Sequence, residues 1–71
     1  RWRMSQFTLS DRAWESFKAV CAIANGLGVS ADDATVAANA TYAVVMSGEK
    51  SAARAVADAK AAMRRALREA A

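Results

Sequence analysis

Residues 34–48 read ATVAANATYAVVMSG, which is the longest uncharged stretch in the sequence. It lacks Asp, Glu, Lys and Arg over about four helical turns. A helix without a clear polar face is buried on most of its sides. The stretch is shorter than the roughly 18–20 apolar residues that a membrane-spanning helix needs, and it contains the polar residues Thr35, Asn39 and Thr41. We therefore predict a helix that packs against other helices and does not span a membrane.

The first predicted helix has clear signals at both ends. Thr8 or Ser10 can cap it, and Asp11, three residues after Thr8, completes a capping box. Its apolar residues recur at spacings typical of one helix face: Ala13, Trp14, Phe17, Val20, Cys21, Ala24 and Leu27. Gly-Leu-Gly at residues 26–28 supplies the glycine that commonly ends a helix. We predict a helix at about residues 10–26, after an extended lead-in at residues 4–9.

Two further helices are predicted, at about residues 31–47 and 51–70, with Ser30 and Ser51 as caps. The last helix carries a seam suited to close packing on another helix, formed by Ala52, Val56, Ala59, Met63, Ala66 and Ala70, with Leu67 alongside. An alternative is one kinked helix over residues 31–71, because a glycine inside a helix costs only about 1 kcal/mol. The preferred fold is all-α, with three short helices in a single domain over residues 1–71.

The small size of the chain favours a partner. Chains of this length bury a modest share of their surface, and the 20 alanines among 71 residues add little apolar area each. Cys21 is the only cysteine and there is no histidine, so an internal disulfide is excluded and a structural zinc site is disfavoured. We therefore expect a homodimer. One unpaired cysteine fits a reducing compartment, which predicts a cytoplasmic location.

The formal net charge of +3 depends on the first residues. Met4-Ser5 looks like a natural start, in which case Arg1, Trp2 and Arg3 are an artificial addition. Without those two arginines, eight basic residues face seven acidic ones, a net charge of +1. Bulk charge is then a weak argument for binding nucleic acid.

The sequence lacks the residues that catalysis usually needs. Acid–base and nucleophilic chemistry use histidine, paired carboxylates or an activated thiol. Asp32 and Asp33 are adjacent on a helix and point in different directions, and Cys21 lies on an apolar face. The glycines stand at two helix ends and form no phosphate-binding loop. We predict a protein that is not an enzyme and that has no cofactor and no metal.

The central helix carries the predicted partner-binding residues. Three short helices cannot easily enclose the side of this helix that carries Tyr42, Val45 and Met46, with Asn39 beside them. Tyrosine and methionine are enriched in protein interfaces. We therefore predict a chain–chain contact here. A basic rim is predicted from the last helix, formed by Arg64, Arg65 and Arg68, although these cations also suit the helix dipole.

DNA binding is the alternative hypothesis. A strand, a helix, the turn Gly28-Val29-Ser30 and a second helix resemble the ribbon-helix-helix repressors, whose paired strands read base edges in the major groove. The segment 4–9 has no Arg or Lys to read bases, and a third helix is surplus to that fold. Nucleic acid is therefore the less favoured partner. Binding to a membrane surface is not expected, because the apolar side of the last helix is mainly alanine.

Four segments between Phe7 and Ala71 carry a resemblance to a known family: LSDRAW at 9–14, GLGVS at 26–30, TYAVVM at 41–46 and MRRALR at 63–68. In these the chain is similar to the phage-encoded quorum-sensing anti-activator family. The resemblance implies a helical homodimer that binds a host acyl-homoserine-lactone receptor of the LuxR type and blocks its transcriptional activity. It also implies that other host proteins, such as a pilus-assembly ATPase, are within the family's reach. It assigns no individual contact residues.

Overall fold

The computed structural model describes residues 8–71, which form three α-helices. These are α1 (Leu9–Leu27), α2 (Ala31–Ser47) and α3 (Ala52–Ala70). No strand occurs among the described residues. The all-α prediction is confirmed, and each helix boundary lies within one residue of its predicted place. Since α1 begins at Leu9, the predicted lead-in over residues 4–9 is one residue too long at this end, and residues 4–7 lie outside the described part.

Hydroxyl side chains cap the N-terminus of each helix. Thr8 Oγ1 accepts a hydrogen bond from the Asp11 N–H at 3.2 Å, and the Asp11 carboxylate accepts one from the Thr8 N–H at 3.0 Å. The predicted capping box is therefore present. Ser30 and Ser51 accept bonds of 3.2 Å from the N–H groups of Asp33 and Arg54. Each cap satisfies an amide that the helix itself leaves without a partner.

Glycines in the left-handed conformation end the first two helices. Gly28 has φ +82° and Gly48 has φ +80°. At the end of α1 the Val29 N–H donates to the Ala24 carbonyl at 2.9 Å, and the Gly28 N–H donates to the Asn25 carbonyl at 3.2 Å, which is a Schellman motif. Because Gly48 ends α2 with the same backbone geometry, the alternative of one kinked helix over residues 31–71 is wrong.

Two glycines at the end of α1 allow a matched test of this helix stop. Gly28→Ala forces a Cβ into the left-handed region and is expected to lower the free energy of unfolding by about 1 kcal/mol. Gly26→Ala lies inside α1 with no atom within 4 Å of the added Cβ, so we expect it to raise stability by about 0.5–1 kcal/mol. Urea denaturation followed by circular dichroism measures both. Equal effects at the two positions would contradict the assigned backbone geometry.

The core consists of two clusters at opposite ends of the bundle. One cluster contains Val20, Ala24, Ala38 and Met63, and the other contains Ala13, Val45 and Ala55. Along the chain, α1 and α3 each pass from the second cluster to the first, whereas α2 passes from the first cluster to the second. Helices that are consecutive in sequence are therefore antiparallel, whereas α1 and α3, which also pack together, run parallel.

The third helix is the least buried of the three. Ala55 and Met63 are its only fully buried residues. Every residue from Arg64 to Ala71 is exposed, although the predicted apolar seam continues there through Ala66 and Ala70. The seam is therefore only half covered by the rest of the chain.

Candidate partner-binding surfaces

An exposed tryptophan marks one side of α1. Trp14 is 51% exposed, and its ring stacks on that of Phe17 with centroids 5.0 Å apart and planes 19° apart. The two rings lie beside the buried line of α1, which runs through Ala13, Val20 and Ala24. An indole this exposed leaves apolar area in water, while stacking keeps it in place. Such a group is suited to binding a second molecule.

Two predicted binding residues lie on the same side of the bundle as Trp14. Ala13 and Val45 share a core cluster, and Trp14 and Met46 directly follow them in sequence. Each step of one residue along a helix turns the side-chain direction by about 100°. On two antiparallel helices that face each other, this turn brings the side chains of Trp14 and Met46 to the same side of the helix pair. Met46 is 38% exposed and Tyr42 is half-buried. We call Trp14, Phe17, Tyr42 and Met46 the aromatic face.

The other two predicted residues, Asn39 and Val45, differ from each other in exposure. Asn39 is exposed on α2. Val45 is only 1% exposed and packs with Ala13 and Ala55 in the core, so it supports the aromatic face from beneath and offers no surface of its own. The sequence predicts that Val45 lies on the unenclosed side of α2 with Tyr42 and Met46, whereas in the structure its side chain is buried in the core of the chain.

Sequence reasoning missed Trp14 as a surface residue. The spacing of three residues between Trp14 and Phe17 places Trp14 among the packed residues of α1, whereas the structure leaves it exposed. Ala13, Phe17, Val20 and Ala24 form an apolar stripe that is narrower than the predicted one, and this stripe indicates the packed side of α1. Trp14 lies about 100° from the Ala13 end of that stripe, at its edge.

The predicted basic rim lies elsewhere. Arg64, Arg65 and Arg68 are all exposed and surround a shallow surface with Lys60, Ala57 and Ala61 on α3. They lie on α3, which shares a surface groove with Thr41 and Val44 of α2, whereas Tyr42 and Met46 do not line that groove. The structure therefore separates the arginines from the aromatic face and does not form a rim around it. On α1, the residue directly after Trp14 is Glu15, whose carboxylate pairs with Lys18 at 3.0 Å.

An apolar groove of about 340 Å³ separates α2 from α3. Its walls are mainly alanine and include Ala37 and Ala40 from α2 and Ala55, Ala59, Ala62 and Ala66 from α3, with Thr41, Val44 and Met63 between them. Lys50 and Asp58 lie at one end. No bulky side chain fills this space, so α2 and α3 present a concave surface to solvent.

A small ionic cluster closes that end of the groove. Lys50 Nζ lies 2.6 Å from Asp58 Oδ2, and Arg54 Nε lies 3.3 Å from Asp58 Oδ1. The hydrogen bond from Lys50 holds the pKa of the Asp58 carboxyl below its ordinary value of 3.8, and the charges of Lys50 and Arg54 act in the same direction. Asp58 is therefore ionised at neutral pH and fixes the start of α3 to the turn before it.

The described residues do not assemble a metal site. Within residues 8–71, no group of three or more His, Cys, Asp or Glu side chains could hold a metal ion. Cys21 is a free, half-buried thiol. Nor does any helix in this part of the chain have the length and apolar character to cross a bilayer.

No family model, curated protein or solved structure matches this chain.

Proposed function

We propose that this chain is a non-enzymatic protein-binding module that inhibits a regulatory protein by covering part of its surface. The observation that carries this proposal is the half-exposed Trp14 on an uncharged aromatic face. Tryptophan, tyrosine and methionine are the side chains that protein interfaces prefer. The rest of α1 and α2 holds these groups on rigid helices, so little ordering is needed when a partner binds.

The partner we propose is a host transcriptional activator of the LuxR type, bound by a phage-encoded homodimer in the host cytosol. The resemblance of four segments to the quorum-sensing anti-activator family supports this choice. The fold is compatible with it, because the resemblance implies a helical protein and residues 8–71 are helical apart from caps and turns. Tyr42 and Met46, within one of those segments, belong to the aromatic face.

Co-purification with a LuxR-type activator tests the proposal. The tagged chain is expected to retain the activator loaded with its acyl-homoserine lactone and to prevent it from binding its promoter DNA. Tyr42→Ala should abolish this retention while helix content stays unchanged. Val36→Ala is the matched control on α2, since Val36 is 68% exposed and lies outside the aromatic face. Retention of the activator by the Tyr42 variant would show that the aromatic face is not the binding site.

A second candidate function is DNA binding, favoured by the exposed cations Lys60, Arg64, Arg65 and Arg68 on one helix. Cations in such a cluster release counterions from phosphates, so binding should weaken steeply with salt. The ribbon-helix-helix form of this hypothesis requires a strand at residues 4–9. That strand cannot include Leu9, because Leu9 is helical. Absence of a gel shift at about 50 mM salt, where phosphate contacts are strong, would eliminate it.

A further inference from the structure

Four exposed cations lie on the side of α3 that faces away from the core. We call them the basic stripe, and they are Lys60, Arg64, Arg65 and Arg68. Because each residue turns a helix by about 100°, the stripe covers an arc of about 140° between Lys60 and Arg65, with the other two cations inside that arc. The buried residues Ala55 and Met63 point to the other side of the helix. The basic stripe is therefore turned toward solvent.

None of these four cations forms an ion pair within residues 8–71. The ion pairs in this part of the chain use Lys18, Lys50 and Arg54. The two acidic residues of α3, Asp58 and Glu69, both lie outside the arc of the stripe. Like charges one helical turn apart repel each other, and an anion that binds among them relieves this repulsion. The stripe therefore favours a ligand with closely spaced negative charges.

We propose that the end of α3 enters the major groove of duplex DNA and that the basic stripe binds the phosphates on both walls of this groove. The inference rests on the second candidate function and deepens it, because it names the helix and the groove. Every residue from Arg64 to Ala71 is exposed, so no other helix covers this part of α3. A helix of about 10–12 Å in diameter fits a major groove that is about 12 Å wide.

The spacing and the direction of the charges favour duplex DNA over other polyanions. Duplex DNA carries one charge per about 1.7 Å of its axis, which is about seven charges over the 12 Å that the stripe spans along α3. Lys60 and Arg65 point about 140° apart. This divergence suits the two walls of a groove better than one flat acidic protein surface. Double-stranded RNA is disfavoured, since its major groove is deep and narrow.

The composition of α3 indicates binding that depends little on DNA sequence. Ala57 and Ala61 lie among the cations and offer no hydrogen-bonding side chain to a base. The helix contains no Asn, Gln, Ser or Thr, the neutral residues that pair with base edges. Contacts from cations to phosphates fix the orientation of a protein on DNA without reading its sequence. We therefore expect unrelated duplexes to bind with similar affinity.

Fluorescence anisotropy with short labelled DNA duplexes of two unrelated sequences tests the proposal. With four phosphate contacts, the dissociation constant is expected to rise about 100-fold between about 50 and 200 mM salt. Replacing both Arg64 and Arg68 with glutamine should raise the dissociation constant about 10-fold or more at the lower salt and reduce the salt slope by about 2. The matched control replaces Arg12 and Lys18 with glutamine, which removes the same charge from exposed positions on α1. This control should keep the salt slope of the unchanged chain.

The outcomes separate this inference from the functions on which it builds. Absence of DNA binding would overturn the inference together with the second candidate function. An equal loss in the α1 control would overturn the assignment to α3 alone, as would equal affinity for double-stranded RNA. Displacement of the duplex by poly-glutamate at an equal concentration of charge would assign the stripe to an acidic protein instead.

Two further measurements keep the DNA result independent of the fold and of the protein partner. Circular dichroism checks that each variant keeps its helices. Tyr42→Ala should leave the affinity for DNA unchanged, and the Arg64 and Arg68 double variant should still retain the activator. Loss of DNA binding in the Tyr42 variant would contradict the separation of the two surfaces and overturn the assignment to α3.

Discussion

Replacing Trp14 with alanine is expected to weaken binding of the partner by about 30-fold or more, because truncating a central aromatic anchor typically costs about 2 kcal/mol or more. Trp14 is already 51% exposed in the free chain, so the fold loses less from this change than a buried tryptophan would cause. Isothermal titration calorimetry against the purified LuxR-type activator measures the affinity. Thermal melting followed by circular dichroism measures the fold.

Leu67→Ala is the control for that experiment. Leu67 is a large apolar residue with 38% exposure, like Met46, but it lies near the end of α3 and away from the aromatic face. Its removal should leave the affinity for the activator within about twofold, as most contacts outside an anchor are near neutral. An affinity that falls equally in both variants, or that falls in neither, would contradict the place given to Trp14.

Replacing Met63 with alanine is expected to lower the free energy of unfolding by about 2–4 kcal/mol, the range for truncating a buried methionine. Met63 is 7% exposed and is the only residue of α3 in the cluster of Val20, Ala24 and Ala38. Without its side chain, the far half of α3 loses its one bulky contact with the core. The loss is a large fraction of the stability of a small domain. Urea denaturation at fixed protein concentration measures it, since self-association also contributes to stability.

The same Leu67→Ala variant is the control for Met63. Leu67 lies one helical turn further along α3 and is much more exposed, so its loss should cost under about 1 kcal/mol. If the two variants unfolded at the same urea concentration, α3 would not be held to the bundle through Met63.

The helix boundaries could be predicted because their causes are local. Thr8, Ser30 and Ser51 each cap an amide three residues ahead, and Gly28 and Gly48 adopt a backbone conformation that other residues avoid. These effects depend on the identity of a few neighbouring residues. A single sequence therefore contains the information needed to place all three helices.

The faces of the helices could not be predicted so well, because their burial depends on where the other helices lie. Ala13 and Trp14 both fit the same apolar spacing, as do Val44 and Val45, yet of these four residues only Ala13 and Val45 are completely buried. The burial of Ser16 is also not evident from the sequence. Its hydroxyl donates a hydrogen bond to the Arg12 carbonyl at 2.8 Å. That bond lets a polar side chain lie in the core without an unmet hydrogen bond.

The alanines at the centre of the bundle limit how this protein can change over evolutionary time. Ala13, Ala24 and Ala38 are wholly buried, at 0% exposure. A larger side chain at any of them would have to push two helices apart, and overpacking of this kind costs about 1–3 kcal/mol. Substitutions at these three positions should therefore be restricted to glycine and serine. Trp14 and Met46 directly follow the buried residues Ala13 and Val45 in sequence. The proposed partner-binding surface can therefore change only through substitutions that keep the close spacing of α1 and α2.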